Sequence, residues 1–252
     1  MKIEYYKEYS HFLNRDMEYK IYGHAGPVMI AFPAQSGRFF DYEDFHMIES
    51  AKKYIESGLI QIVTVDSIDS ESWASKDWDY HERILRHEAW FNYIIDELRP
   101  SALKHCGKKA NTKAYTTGIS MGAYHALNFI LRRPDLFSKT ICLSGIYSAS
   151  YFFPHYNDEL IYLNSPCDYL PNTDPNHEYI KKYRKCEFIV CVGQGNWEDE
   201  GINDAWKIKA AFEVLNVPAW IDFWGYDVNH DWDWWQKQFP YYLEHLLMGK
   251  QR

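Results

Sequence analysis

The sequence predicts an α/β fold, a mostly parallel sheet with helices on both of its faces. Three observations carry that expectation. Short β-like runs alternate with longer amphipathic stretches through most of the 252 residues, the pattern of strands joined by right-handed helical crossovers. The clearest runs are continuously apolar, as in strands buried on both faces. No repeat, low-complexity tract or Gly/Ser/Pro-rich linker divides the chain, and its length suits one large unit.

Ile3 to Tyr9 and Met17 to Tyr22 are expected to add an antiparallel edge. Pro27-Val-Met-Ile-Ala-Phe32, ending at Pro33, reads as a buried strand. Leu59 to Val65 is a second, entered from Gly58 and closed by Asp66. Ile84, Phe91, Ile94 and Leu98 then fall on one face of a helix that Pro100 is expected to end. Ala114-Tyr-Thr-Thr117 is a weaker, β-branched strand stopping at Gly118, and Met121 to Arg133 a helix closed by Pro134. Thr140–Leu143, Phe188–Val192 and Ala219–Trp224 complete the strands. Asp204 to Leu215 and the segment after His230 complete the helices. Residues 146–185 have no clear period and carry Pro154, Pro166 and Pro171, so a cap-like excursion above the sheet is expected there.

Composition narrows the function. Apolar residues at 46% and charged residues at 25% describe a globular chain. Lys+Arg 27 against Asp+Glu 35 gives a net charge of −8, unsuited to a nucleic-acid backbone. No apolar run reaches the roughly 18 residues of a membrane span, and the first residues, Met-Lys-Ile-Glu-Tyr-Tyr, carry no secretory core. The 5 cysteines, odd in number and without a CxxC pair, suit a reducing compartment, so a cytoplasmic protein is expected. Aromatic residues reach 18%, with 10 Trp and 21 Tyr, which predicts a core and surface rich in amphipathic rings.

The chemistry sits in Thr117-Gly118-Ile119-Ser120-Met121-Gly122. This Gly-x-Ser-x-Gly lies between a strand and a helix, the context of a nucleophile elbow. Ser120 would occupy a strained turn, and side chains at Gly118 or Gly122 would collide with the neighbouring strand and helix. A serine hydroxyl needs a base, and in such folds an acid and then a histidine follow it in the chain. Of the 11 histidines, His155, His177, His230 and His245 lie far enough downstream. His155 and His177 belong to the excursion, and His245 lies late in the last helix. His230 follows the final strand on a loop at the sheet edge that lines active crevices, and is the expected base.

The acid is expected on the loop after Phe188–Val192, which reads Gly193-Gln-Gly-Asn-Trp-Glu-Asp-Glu-Gly201. Asn196 occupies the simplest acid position. Of its three carboxylates, Glu198, Asp199 and Glu200, Glu198 ranks first because Trp197 beside it offers a ring to exclude water, with Asp199 second. Asp227 is a more distant alternative, and capping of the helix expected near Asp204 is the competing role for these carboxylates. The oxyanion donors are expected to be the N–H of Met121 and one from Pro33-Ala-Gln-Ser-Gly37, with Gln35 favoured and Ser36 as a side-chain alternative. Asp227, His230, Asp231 and Asp233 match no zinc spacing, so neither a metal nor a cofactor is expected. Trp232, Trp234 and Trp235 are expected to pack the last helix on the sheet rather than to stack on a ligand.

These motifs give the chain a resemblance to the esterase D-like branch of the α/β-hydrolase superfamily, which includes the antigen 85 mycolyltransferases. The resemblance is carried by Gly118-Ile-Ser-Met-Gly122 with the Ala-Tyr-His-Ala that follows, Arg133-Pro-Asp-Leu-Phe137, Leu143-Ser-Gly145 and His230-Asp-Trp-Asp-Trp-Trp235. The last matches the His-x-Trp-x-x-Trp pattern after that branch's catalytic histidine. Similarity runs from about residue 17 to the end. The sequence departs from the branch at Pro33-Ala34, where His-Gly is usual, and at Asn196. The resemblance implies a single α/β-hydrolase domain over 1–252 and hydrolysis of a small-molecule carboxylic ester through an acyl-enzyme. Ser120 would be the nucleophile and His230 the base. Acyl transfer to a carbohydrate or alcohol and a non-catalytic binding protein on the same fold are the competing readings.

Overall fold

The structure is a computed structural model that describes residues 1–249. Its strands are β1 (Ile3–Ser10), β2 (Arg15–Tyr22), β3 (Val28–Phe32), β4 (Gln61–Val65), β5 (Ala114–Ile119), β6 (Phe137–Leu143), β7 (Glu187–Val192) and β8 (Ala219–Phe223). They form one 8-stranded sheet in the order β1-β2-β4-β3-β5-β6-β7-β8. β1 pairs antiparallel with β2, and β2 antiparallel with β4, while every pairing from β4 to β8 is parallel. The expected antiparallel edge and parallel body are both present.

The two-residue period of a strand divides the apolar runs between two cores. Val28, Ile30 and Phe32 of β3 face one cluster, and Met29 and Ala31 the other. Val63 and Ile62 of β4, and Val190 and Ile189 of β7, separate in the same way. Helices close both faces. The first cluster is covered by α4 (Tyr80–Asn92), α5 (Arg99–His105), α6 (Met121–Arg132) and α10 (Asp199–Val214), counting in chain order. The second is covered by α2 (Met47–Ser50), α3 (Lys52–Glu56) and α11 (Trp232–Met248). With α1 (Asp41–Asp44), α2 and α3 fill the β3–β4 connection. At four or five residues each they are too short to leave a periodic signal in the sequence.

Two helix boundaries differ from expectation. Pro100 does not end its helix: a π turn (Tyr93–Leu98) follows α4, and the chain continues through α5 with Pro100 in its first turn. The π turn resets the ladder, so proline's missing N–H falls where a helix tolerates it. α10 begins at Asp199 rather than near Asp204, with Asp199 and Glu200 set against the positive end of its dipole. Asp204, inside that helix, is buried and accepts the backbone N–H groups of Tyr147 and Ser148, each at 2.8 Å. It thereby anchors the start of residues 146–185. That segment carries a 3-10 turn (Ala149–Tyr151), α7 (Glu159–Leu163), α8 (Pro166–Tyr169) and α9 (Glu178–Tyr183), with α8 packed on α6 and α10.

The aromatic excess is largely interior, with Trp73, Trp90, Tyr19, Tyr22, Tyr42 and Tyr124 among the fully buried side chains. One buried ring has a consequence for stability. His87 accepts from Trp73 Nε1 at 2.9 Å and lies 3.1 Å from Asn164 Oδ1, stacked on His125. Burial, then the neighbouring His125 and Arg132, push its pKa well below the usual 6.5. The folded state holds the ring neutral, so the unfolded state binds more protons once the pH falls below that value. Stability is full above it and is lost by up to about 1.4 kcal/mol per pH unit below it. The unfolding free-energy difference between wild type and His87→Gln should therefore shrink as urea titrations move from pH 7 to pH 5. A constant difference would contradict a neutral buried ring.

Candidate active site

Strand β5 runs into Ser120, which holds φ 54° and ψ −122° at the start of α6. The close approach that permits this turn explains both glycines. A Cβ on Gly118 would lie 1.9 Å from the carbonyl oxygen of Gly122, and one on Gly122 would lie 2.1 Å from that of Phe32. Both obstacles are backbone, so no side chain can move aside. Ser120 N–H is held by the Leu143 carbonyl at 2.9 Å, fixing the elbow against β6.

His230 reaches this serine from the loop after β8. Ser120 Oγ and His230 Nε2 are 2.9 Å apart, and His230 Nδ1 lies 3.3 Å from Glu198 Oε2. The hydroxyl can donate to Nε2 while Nδ1–H donates to the carboxylate. The loop is fixed by His230 N–H on the Asn196 carbonyl at 3.0 Å and Asn196 N–H on Asn229 Oδ1 at 2.8 Å. Asn196 thus ties the acid-bearing loop to the histidine-bearing one.

Glu198 is fully buried, and its second oxygen accepts from Ser144 Oγ at 2.6 Å and from Gly193 N–H at 3.4 Å. Ser144 itself adopts φ 55° after β6 and accepts from Trp235 Nε1 at 3.0 Å. The reason for preferring Glu198 does not hold, although the residue is where it was expected. Trp197 is 84% exposed and turned outward at φ 69°. The ring that packs against the imidazole is Trp235, edge-on at 4.9 Å. Among the described residues, no other carboxylate hydrogen-bonds His230. Asp199, Glu200 and Asp227 are exposed.

The other histidines lie apart from the serine. His155 is exposed, His177 accepts from Tyr179 N–H at the start of α9, and His245 packs on Trp220 and Tyr241. Trp232 stacks on Phe45 at 4.2 Å, while Trp234 lies near Trp224 under Lys237. Ser144 was not among the expected site residues; its only sequence signal is the Leu143-Ser-Gly145 step at the end of a buried strand.

A cavity of about 270 Å³ opens over Ser120 and His230. Gln35, Met121, Ile146, Tyr151 and Phe152 line it, together with the exposed Trp197 and Glu200. Met121 is the first residue of α6, so its N–H has no carbonyl one turn back within the helix. Gln35 belongs to the loop after β3, where Ser36 adopts φ 58° and gives its own N–H to Asp69 Oδ2 at 3.0 Å. Ser36 is not part of the lining. The arrangement provides a hydroxyl, an imidazole and a buried carboxylate in series, with Gln35 and Met121 among the residues lining the cavity above them.

The family model described as "Putative esterase" matches residues 10–246. No curated protein matches the chain. Among solved structures, a ferulic acid esterase superposes with a TM-score of 0.75 at 18% identity, covering 98% of this chain and 97% of that one. FphF, a fluorophosphonate-binding serine hydrolase of Staphylococcus aureus, gives 0.72 at 12% identity over 98% of each chain. An S-formylglutathione hydrolase from Agrobacterium tumefaciens gives 0.71 at 13% identity, covering 97% of this chain and 95% of that one. At these identities the likeness concerns the fold, which is that of the α/β-hydrolases.

Proposed function

The chain belongs to the esterase family whose model spans it almost from end to end, and on that premise we propose that it hydrolyses small carboxylic esters through an acyl-enzyme on Ser120. Ser120 Oγ attacks the ester carbonyl as its proton passes to His230 Nε2. The oxyanion is met by the N–H groups of Met121 and Gln35. The imidazolium then protonates the departing alcohol, and water repeats the sequence to release the acid. Glu198 keeps the proton on Nδ1 and stabilises the imidazolium. The observation that carries this reading is the hydrogen-bonded series Ser120–His230–Glu198, at 2.9 and 3.3 Å, with the far end fully buried.

A common acyl-enzyme has a direct signature. When p-nitrophenyl, phenyl and ethyl butyrate are hydrolysed in aqueous methanol, the ratio of methyl butyrate to butyrate should be the same for all three. A ratio that changes with the leaving group would contradict the acyl-enzyme.

The cavity favours neutral esters over anionic ones. Its lining holds the Glu200 carboxylate and neither lysine nor arginine. Glu200→Gln should raise kcat/KM for an anionic ester such as p-nitrophenyl hemisuccinate by about two- to five-fold relative to p-nitrophenyl butyrate, the scale of one exposed charge pair. Equal changes for the two substrates would remove Glu200 from substrate selection. The 5 cysteines all stand as free thiols, which supports a reducing compartment, the cytoplasm.

A further inference from the structure

We propose that Asp69 and His125 are positioning residues, a buried strut that sets the spacing between the two oxyanion donors, Met121 and Gln35. The proposal rests on the acyl-enzyme reading above. The two donors come from different parts of the chain, Gln35 from the β3–α1 loop and Met121 from the start of α6. Transition-state stabilisation requires both to be held to about half an ångström.

The strut joins those two parts. His125 lies on α6, one turn beyond Met121, and its Nε2 is 3.1 Å from Asp69 Oδ1. The other oxygen, Oδ2, accepts the N–H of Ser36, the residue next to Gln35, at 3.0 Å. Ser36 is held there in the left-handed region at φ 58°, which an L-residue adopts reluctantly. The carboxylate bond thus fixes a turn that the loop would otherwise relax. Asp69 is itself fixed, because its carbonyl accepts the N–H groups of Ser72 and Ala74 at 3.1 and 2.7 Å.

Neither end is free to move. The Asp69 and His125 side chains are 2% and 1% exposed. The imidazole is enclosed by Trp90 at 4.9 Å, His87 at 5.4 Å and Tyr124 at 5.6 Å. His125 Nδ1 finds no protein partner among the described residues, so Nε2 carries the proton and spends it on Asp69. A pair buried this deeply is a poor device for stability alone, since well-packed apolar residues often serve as well. What the polar pair adds is direction, from the helix behind the nucleophile to the backbone beside the second donor.

The test compares His125→Gln, whose amide reaches the position of Nε2, with His125→Asn, which is too short, alongside Asp69→Asn. Each is assayed for kcat, KM and inhibition by a trifluoromethyl ketone, whose free carbonyl, in equilibrium with its hydrate, adds Ser120 Oγ reversibly to give a hemiketal that places an oxyanion on the donors. His125→Asn and Asp69→Asn should lower kcat about 10- to 100-fold, short of the loss from deleting a donor outright. KM should stay within about twofold, the ketone should weaken by the same factor as kcat/KM, and His125→Gln should recover most of both. Folding is checked by melting; if Asp69→Asn does not fold, the Gln/Asn pair decides. A folded His125→Asn with wild-type kcat, or a fall in kcat without a matching loss of ketone affinity, would overturn the proposal. Failure of the underlying reading shows separately, as a wild-type enzyme that the ketone does not inhibit.

Discussion

Ser120→Ala and His230→Gln are each expected to lower kcat/KM for p-nitrophenyl butyrate by about 10⁴- to 10⁶-fold, and the double variant should be no worse than either alone. Serine and histidine act as one unit, since the proton that makes Oγ nucleophilic must have somewhere to go. The 2.9 Å contact between Ser120 Oγ and His230 Nε2 is the geometric basis for that coupling. Ser120→Ala leaves the backbone problem unchanged, because alanine at φ 54° carries the same Cβ as serine. Melting temperature should therefore hardly move. Losses that multiply in the double variant would show two independent contributions and contradict the mechanism.

Glu198→Gln should lower kcat by about 10³- to 10⁴-fold with KM nearly unchanged. The wild-type carboxylate accepts on both oxygens, from Ser144 Oγ on one side and His230 Nδ1 on the other. An amide has one oxygen, so its NH2 must face one of those partners. Facing His230, it forces the proton onto Nε2, and the ring no longer accepts from Ser120. Facing Ser144, it leaves the serine hydroxyl to reorganise and offers His230 a neutral acceptor that stabilises the imidazolium less. Asp199→Asn is the matched control, since that carboxylate is exposed in the first turn of α10. It should cost less than about 1 kcal/mol of stability and leave kcat alone. If Asp199→Asn proved the damaging change and Glu198→Gln the silent one, the acid assignment would be wrong.

Much of this was legible in the chain itself. The parallel body of the sheet could be read because β3, and β7 from Phe188 to Val192, are apolar at successive positions, as strands buried on both faces are. Ser120 could be read because the elbow is local: strand, two glycines and helix start all lie within a few residues. His230 followed from chain order and its place after the last strand. Glu198 lies within hydrogen-bond reach of His230, but its sequence neighbour Trp197 does not account for that, because adjacency in the chain says nothing of which ring packs on which. The ring that does so, Trp235, lies on α11 and meets the acid through Ser144. Asp69 and His125 were invisible for the same reason. Their chemistry lies in a pairing across 56 positions, and a lone histidine in an apolar helix carries no mark of its partner. Pro100 misled because a π turn, a three-dimensional adjustment of the ladder, lets the helix continue past it.

The central claim is that Ser120 is the residue acylated during turnover, and it is tested most directly by a fluorophosphonate. The probe reacts at a serine only where a base and oxyanion donors activate it, so it reports the assembled site rather than the sequence motif. The wild-type protein should take up one equivalent, with the label mapping by peptide mass spectrometry to Ser120 and ester hydrolysis lost in step. Label on any other serine, or continued ester turnover in a protein whose Ser120 is fully labelled, would contradict the account.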